Sequence, residues 1–544
     1  MKGLRLAAVV CCTAFLAACD SKLPTASADP PRVKVASGDL IGARADGVEF
    51  FKGIPYAAAP VGDLRWRPPQ PAPVAPVARD ASSYGPDCAQ EPFPYDAAPS
   101  RNGFSENCLF LNVWRPAGAD PKAKLPVMVW IHGGGFINGG TTPAVYDGSR
   151  FAAQGIAFVS INYRLGRFGF FAFPALSAEH PDELKANYGY MDQIAALKWI
   201  KANIAAFGGD PNNVMVFGES AGGGSVHMLL TTPLAAGLIS KAGIESGGGR
   251  GSLMGPRRLK EDLPNLPSGE TLGVNFARAN GIEGTGPEAL AALRALPTEK
   301  IVDGLTMMGG RREGPPTYGG PVLDGQIVTG TPQGAYLAKR ETQVPTIVGA
   351  NDADAGFGGA DTLDEALRYF GADAEKARAA YGPDPSPDQY IAIGSIAMDR
   401  GMVEPARFVA QTFAAHGTPT YEFRFAYVAP ADKAALATNP FASAMLPGAQ
   451  HASEIPYVFD TVPDAHEATA EDLATAKAVN AYWANFAKTG NPNGPGPNGT
   501  HLPEWPAYTV ENDTVMIFTP EGPPASRDPW GARLDLIAAH APRK

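Results

Sequence analysis

Val214–Gly222 reads Val-Met-Val-Phe-Gly-Glu-Ser-Ala-Gly. A short apolar run enters Gly218-Glu219-Ser220-Ala221-Gly222, and an Ala/Gly/Met/Leu-rich helical stretch leaves it. A serine held between small residues where a strand turns into a helix is set up as a nucleophile. The turn is sharp enough that side chains at 218 and 222 would collide. With glycine at both, Ser220 can project at a helix N-terminus from a strained backbone. The same five residues elsewhere would be an ordinary Gly/Ser turn; strand before and helix after favour the catalytic reading. Acyl transfer at a serine also needs a base, an orienting acid and donors for an oxyanion.

Each partner has candidates. His132-Gly133-Gly134-Gly135-Phe136 directly follows the apolar run Val127–Ile131, and its glycines would let backbone N–H groups approach a developing negative charge. Of eight histidines, His132 belongs to that motif, and His227, two helical turns past Ser220, reads as helix packing. His180, His416, His466, His501 and His540 sit in polar or terminal contexts, while His451 lies in a loop before an apolar stretch. For the acid, Gly349-Ala350-Asn351-Asp352-Ala353-Asp354-Ala355-Gly356-Phe357 follows an apolar run and offers both Asp352 and Asp354.

The elements that must carry these residues alternate in type. Val127–Ile131, Ala157–Asn162, Val214–Phe217, Pro345–Val348 and Thr420–Phe425 read as strands, and Tyr190–Ala206 as a helix with Ile194, Leu197 and Ile200 on one face. Such alternation predicts an α/β protein with a mainly parallel central sheet flanked by helices. Arg32–Phe51 reads as a hairpin-like start. The stretches around 250–340 and 360–415 look helical and loop-rich and are expected to form cap insertions and substrate walls. They would belong to a single domain running from 33 to 540. No internal repeat is visible, and the Pro/Ala stretch at 68–78 is the one compositionally biased segment noted.

Several segments resemble the type-B carboxylesterases, the cholinesterase-like family of α/β-hydrolases. They are Phe51-Lys52-Gly53-Ile54-Pro55-Tyr56-Ala57 and Pro60-Val61-Gly62-Asp63-Leu64-Arg65-Trp66-Arg67-Pro68-Pro69. Ser105-Glu106-Asn107-Cys108-Leu109-Phe110-Leu111-Asn112-Val113 resembles the family's second signature, with Asn107 where aspartate is usual. Asn162-Tyr163-Arg164, Phe207-Gly208-Gly209-Asp210-Pro211, Pro321-Val322-Leu323-Asp324-Gly325 and Phe486-Ala487-Lys488-Thr489-Gly490-Asn491-Pro492 extend the likeness nearly end to end. The resemblance implies an α/β-hydrolase fold and a serine ester hydrolase working through an acyl-enzyme on Ser220. His451 in Gly448–Tyr457 matches the catalytic-histidine motif, and the chain order Ser, acid, His agrees. The catalytic glutamate aligns with Asp354, one methylene shorter; Ala353 and Ala355 replace the usual Asp and Gly, and Asp352 stays a rival. The implied oxyanion donors are the amides of Gly134, Gly135 and Ala221, and Glu219, Ser246 and Glu454 match a polar set supporting the histidine. Activity is expected to fall below the pKa of His451, near neutral or a little under. Non-catalytic relatives of the fold exist, and an amidase or peptidase could use the same triad.

The amino terminus is a targeting segment. Lys2 and Arg5 precede the apolar run Leu6–Ala18, and Leu16-Ala17-Ala18-Cys19 resembles a bacterial lipoprotein signal. On that reading residues 1–18 are a cleaved leader and Cys19 is lipidated. Residues 19–32 tether the enzyme to the periplasmic side of a membrane, with Asp20 resembling an inner-membrane retention signal. The alternative is a soluble exported protein. Cys88 and Cys108, the pair left after Cys11, Cys12 and Cys19, are expected to form a disulfide in that oxidising setting. A net charge of −10 without a long basic run argues against nucleic acid as partner. The sequence shows no His-Glu-x-x-His pairing and no Gly-rich phosphate loop, so neither metal nor cofactor is expected. The segment between Cys88 and Cys108 holds Phe93, Tyr95 and Phe104 but no tryptophan, which disfavours choline esters, since cholinesterases hold the ammonium on a tryptophan there. Met307, Met308 and Tyr318 suggest an adaptable apolar wall and apolar medium-chain or aromatic esters as substrates.

Overall fold

Each central strand feeds two apolar cores at once. Val127, Val129 and Ile131 point into one, together with Val159, Ile161, Val216 and Ile244. Met128 and Trp130 point into the other, with Phe158, Met215, Phe217 and Phe423. A strand apolar on both faces must be covered on both, which is why these runs form a helix-flanked parallel sheet. The computed structural model describes residues 29–542 apart from 94–97, 252–254, 308–313, 357–359, 383–388 and 439–445. The expected leader, Cys19, most of the expected tether, Tyr95 and Met308 lie outside the described residues.

The main sheet has 11 strands. In chain order they are β1 (Ala43–Ala45), β2 (Val48–Pro55), β3 (Phe110–Pro116), β4 (Leu125–Ile131), β5 (Ala157–Ile161), β6 (Gly209–Glu219), β7 (Lys241–Glu245), β8 (Thr346–Asn351), β9 (Thr420–Phe425), β10 (Thr514–Phe518) and β11 (Ala525–Arg527). In space the order is β11-β10-β9-β8-β7-β6-β4-β5-β3-β2-β1. Every neighbour from β5 across to β10 is parallel, and both edges are closed by antiparallel strands. The start of the chain is two hairpins instead of one. Arg32–Val35 and Gly38–Ile41 join Arg79–Asp80 in a separate three-stranded sheet, whereas β1 and β2 extend the main one.

Helices α1 (Tyr188–Asn203), α2 (Ala221–Thr231) and α3 (Glu404–Ala415) cover the first face through Leu197, Ile200, Leu229, Val409 and Phe413. On the second face, Pro430–Thr438 (α4) leads toward the long helix α5 (Ala470–Thr489), which packs Val479, Trp483 and Phe486 on the sheet. The expected cap at 250–340 contains Gly269–Ala279, Pro287–Arg294, Thr298–Val302 and Pro332–Leu337. The stretch 360–415 differs from the expectation at its end: α3 is a sheet-covering helix, because Val409, Ala410 and Phe413 put an apolar stripe against β8 and β9.

Cys88 and Cys108 are joined, both buried, with Cα atoms 4.9 Å apart. Closing a loop of 20 residues removes denatured-state entropy worth about 3 kcal/mol. The double variant Cys88→Ala/Cys108→Ala should therefore lose about that much stability in urea unfolding, and dithiothreitol should lower the wild-type midpoint while leaving the variant's unchanged.

Candidate active site

The neighbouring strand dictates the turn at Ser220. Gly218 pairs with Ile131 of β4 on one side and Ile244 of β7 on the other. A Cβ on Gly222 would lie 2.0 Å from the Ile131 carbonyl oxygen, and one on Gly218 2.5 Å from the same atom. No side chain fits at either position, so the obstacle is chiefly β4. Ser220 itself sits at φ 56° and ψ −120°, ahead of α2, with its N–H bound to the Glu245 carbonyl at 2.9 Å. A left-handed φ on a residue with a side chain costs on the order of 1–3 kcal/mol and persists where the surroundings fix it.

The structure brings the three expected side chains into one line. His451 Nε2 is 2.9 Å from Ser220 Oγ, and His451 Nδ1 is 2.5 Å from Asp354 Oδ1. The Ser246 hydroxyl donates to Asp354 Oδ2 at 2.6 Å, as does the Asn351 N–H at 2.9 Å, and the Ala355 N–H donates to Oδ1 at 2.7 Å. Asp352 is turned away from the imidazole: its Oδ1 accepts the Ala449 N–H at 2.6 Å. Of the two candidate acids, Asp354 is the one on the ring.

Gly134 and Gly135 follow β4 at φ 95° and 59°. A Cβ on Gly134 would lie 2.2 Å from the Asn138 carbonyl oxygen, so glycine is required there. Among the described residues, the N–H groups of Gly134, Gly135 and Ala221 donate to no protein acceptor. His132 is buried, stacked on Tyr163 with ring centroids 4.5 Å apart, and burial holds its pKa down near 4. It is a neutral support for the glycine turn. His227 is likewise buried, bonded to the Tyr336 hydroxyl at 2.5 Å.

Buried acids surround the imidazole. Glu219 Oε1 lies 3.1 Å from His451 Nε2 without a bonding alignment, and Glu454 Oε2 accepts from Asn351 Nδ2 at 2.6 Å. Behind them Glu245 accepts from Trp483 Nε1 at 2.7 Å. Burial raises the pKa of Glu219, Glu454 and Glu245. Burial also opposes ionisation of Asp354, but the His451 ring, the Ser246 hydroxyl and the Asn351 N–H outweigh it, and its carboxyl lies below the ordinary range. Burial alone would lower His451; the Glu219 and Asp354 carboxylates outweigh it and raise the imidazolium above its usual value. That reverses the expectation of an ordinary, near-neutral histidine.

Ser220 and His451 open into a cavity of about 580 Å³. Its walls include Phe93, Val145, Tyr146, Met307, Ala435 and Leu436. Met307 is thus on the wall, where the sequence put it, and Phe93 of the Cys88–Cys108 segment joins it there. Tyr318 is not on the wall; it leans on the Phe136 carbonyl, and Phe104 is an exposed ring away from the cavity. The sequence reading missed α4, whose Ala431 and Ala435, one helical turn apart, leave room beside the serine. It also missed Asp432 and His466, the polar pair on that wall, 4.0 Å apart. The signal was the Ala-rich i, i+4 spacing after β9.

The carboxylesterase family profile matches residues 29–378 and 375–529. Fumonisin B1 esterase of Sphingopyxis macrogoltabida is 34% identical over 534 residues, covering 94% of this chain and 91% of that protein. Para-nitrobenzyl esterase of Bacillus subtilis is 33% identical, covering 89% of this chain and 94% of that one. A solved para-nitrobenzyl esterase superposes with a TM-score of 0.76 at 29% identity, over 93% of this chain and 99% of its own. A carboxylesterase of Geobacillus stearothermophilus gives 0.74 at 32% identity with the same coverage. The chain belongs to the carboxylesterase family, α/β-hydrolases that cleave carboxylic esters.

Proposed function

We propose that this chain hydrolyses apolar medium-chain or aromatic carboxylic esters through an acyl-enzyme on Ser220. The observation that carries the reading is the unbroken line from Ser220 Oγ through His451 to Asp354 at the floor of a largely apolar cavity. His451 Nε2 takes the proton as Ser220 Oγ attacks the ester carbonyl. The tetrahedral oxyanion is met by the N–H groups of Gly134, Gly135 and Ala221, and the alcohol leaves with the proton held on Nε2. Water then attacks the acyl carbonyl, giving a proton to the same nitrogen, and the bond to Ser220 Oγ breaks as that proton passes to Oγ and the acid leaves. Asp354 orients the ring and offsets the imidazolium charge throughout. The cavity is within the size range of small-molecule sites, and its alanine and aliphatic walls suit an apolar group better than a charged one.

The leader and Cys19 support export and anchoring by lipid, and the buried Cys88–Cys108 bond supports an oxidising compartment. Expressed in a bacterial host with its own leader, the wild type should partition into detergent, and Cys19→Ala should move it to the aqueous phase.

Hydrolysis of p-nitrophenyl acetate, butyrate and octanoate by the chain from about residue 30 should collapse by on the order of 10⁴-fold or more in Ser220→Ala and His451→Ala. Turnover surviving in Ser220→Ala would overturn the mechanism, and faster cleavage of matched p-nitroanilides would make it an amidase.

The pH profile follows from the charges around the base. The Glu219 and Asp354 carboxylates stabilise the imidazolium, so its proton leaves at a higher pH than from a free histidine. The acid limb of kcat/KM should therefore lie above about 6.5, the ordinary imidazole value. Above about 8, where Glu219 is itself ionised, Glu219→Gln removes one negative charge and should move that limb to lower pH, by on the order of one unit.

A further inference from the structure

An aspartate side chain is one C–C bond, about 1.5 Å, shorter than a glutamate's, so for Asp354 to serve the imidazole the two loops must come that much nearer each other. The distance His451 Nδ1 to Asp354 Oδ1 is nevertheless 2.5 Å, so the loop carrying the histidine lies close to the acid loop. We propose that Asp352 is the positioning residue that holds the two loops together; the proposal rests on the serine-esterase reading above.

The segments run side by side as a short parallel bridge between Ala353 and Gln450. Besides the His451–Asp354 and Asn351–Glu454 bonds already described, three bonds stitch them at Ala449 and Gln450. The Ala353 N–H donates to the Ala449 carbonyl at 3.0 Å, and Asn351 Nδ2 to the Gln450 carbonyl at 2.7 Å. The third is the Ala449 N–H on Asp352 Oδ1, made by a side chain, and at 2.6 Å it is the shortest of the three. It fixes the chain two residues before His451. Gly448 adds an independent sign of close fit: at φ 138°, a Cβ there would lie 2.4 Å from Asp352 Oδ1. The carboxylate fills the space that any side chain at 448 would need, so acid loop and histidine loop interlock at this point. Asp352 touches neither the reacting atoms nor the His451 ring. It acts through the Ala449 N–H on the placement of Nδ1 and Nε2, and a displacement of about 1 Å at a reacting group costs on the order of 100-fold in rate.

The test compares Asp352→Ala, Asp352→Asn and Gly448→Ala with wild type and Ser220→Ala on p-nitrophenyl butyrate. Asp352→Ala should lower kcat by about 10- to 100-fold with KM within about twofold, because the apolar wall of Phe93, Val145, Tyr146, Met307 and Leu436 is carried by other segments. Asp352→Asn keeps an oxygen that can accept the Ala449 N–H and should stay within about threefold of the wild-type kcat. Gly448→Ala, which pushes the carboxylate away from the other side, should lose kcat as Asp352→Ala does. Should Asp352→Ala not fold, a wild-type-like kcat in Asp352→Asn with a lowered kcat in Gly448→Ala still supports the clamp. A kcat in Asp352→Ala within twofold of wild type overturns it, and so does Asp352→Asn as impaired as the alanine variant. Turnover surviving in Ser220→Ala overturns the serine reading instead, whatever the Asp352 variants do.

Discussion

The contact on which the site depends is the approach of the elbow to the Ile131 carbonyl. β4 and β6 pair in register up to Gly218, and α2 then leaves so steeply that Gly222 passes directly over the end of β4. That packing leaves Ser220 a positive φ and aims its hydroxyl out of the sheet. The same strand end launches Gly133–Gly135, so Ser220 and the glycine turn are placed by one pair of adjacent strands. The strain at Ser220 persists because regular structure fixed on both sides over-determines it.

Around that point the sheet brings chemistry from distant parts of the chain to a common edge. Ser220, Ser246, Asp354 and the Asn351 amide stand at the carboxyl ends of β6, β7 and β8, which lie side by side in that order and run parallel. Parallel pairing aligns those ends on one side of the sheet, which is where open α/β sheets carry their sites. His451 comes from a loop beyond β9 and is tied back to β8 by the bonds at Asn351, Ala353 and Asp352.

The electrostatics follow from burial. Several carboxyls lie beneath the imidazole, yet only Asp354 gathers enough donors to stay ionised below the ordinary range; Glu219, Glu454 and Glu245 are pushed the other way. A buried charge persists only where bonds compensate its lost hydration. Farther off, the Arg424–Asp528, Arg407–Asp513 and Arg164–Asp192 pairs obey the same rule, each with at least two charge-assisted bonds in a buried setting.

The sequence by itself determined the strand runs, the helix α1, the serine turn and the glycine turn, because those depend on local rules: periodicity, β-branched runs, and glycine where a Cβ has no room. Thr420–Phe425 coincides with β9 to the residue for that reason. The likeness to a family supplied His451 and Asp354 as candidates, but sequence could not separate Asp354 from Asp352, two residues apart on one loop. Tertiary structure decided that, since which carboxylate meets the ring depends on how a loop about 100 residues later is docked. It also decided that α3 covers the sheet, that α4 walls the cavity, and that Tyr318 does not. Each of these depends on which apolar face finds a partner across the fold, a quantity that no local pattern contains. The rise of the histidine's pKa is of the same kind, for it sums charges from β6, β8 and the histidine loop itself, which only folding brings within reach of one ring.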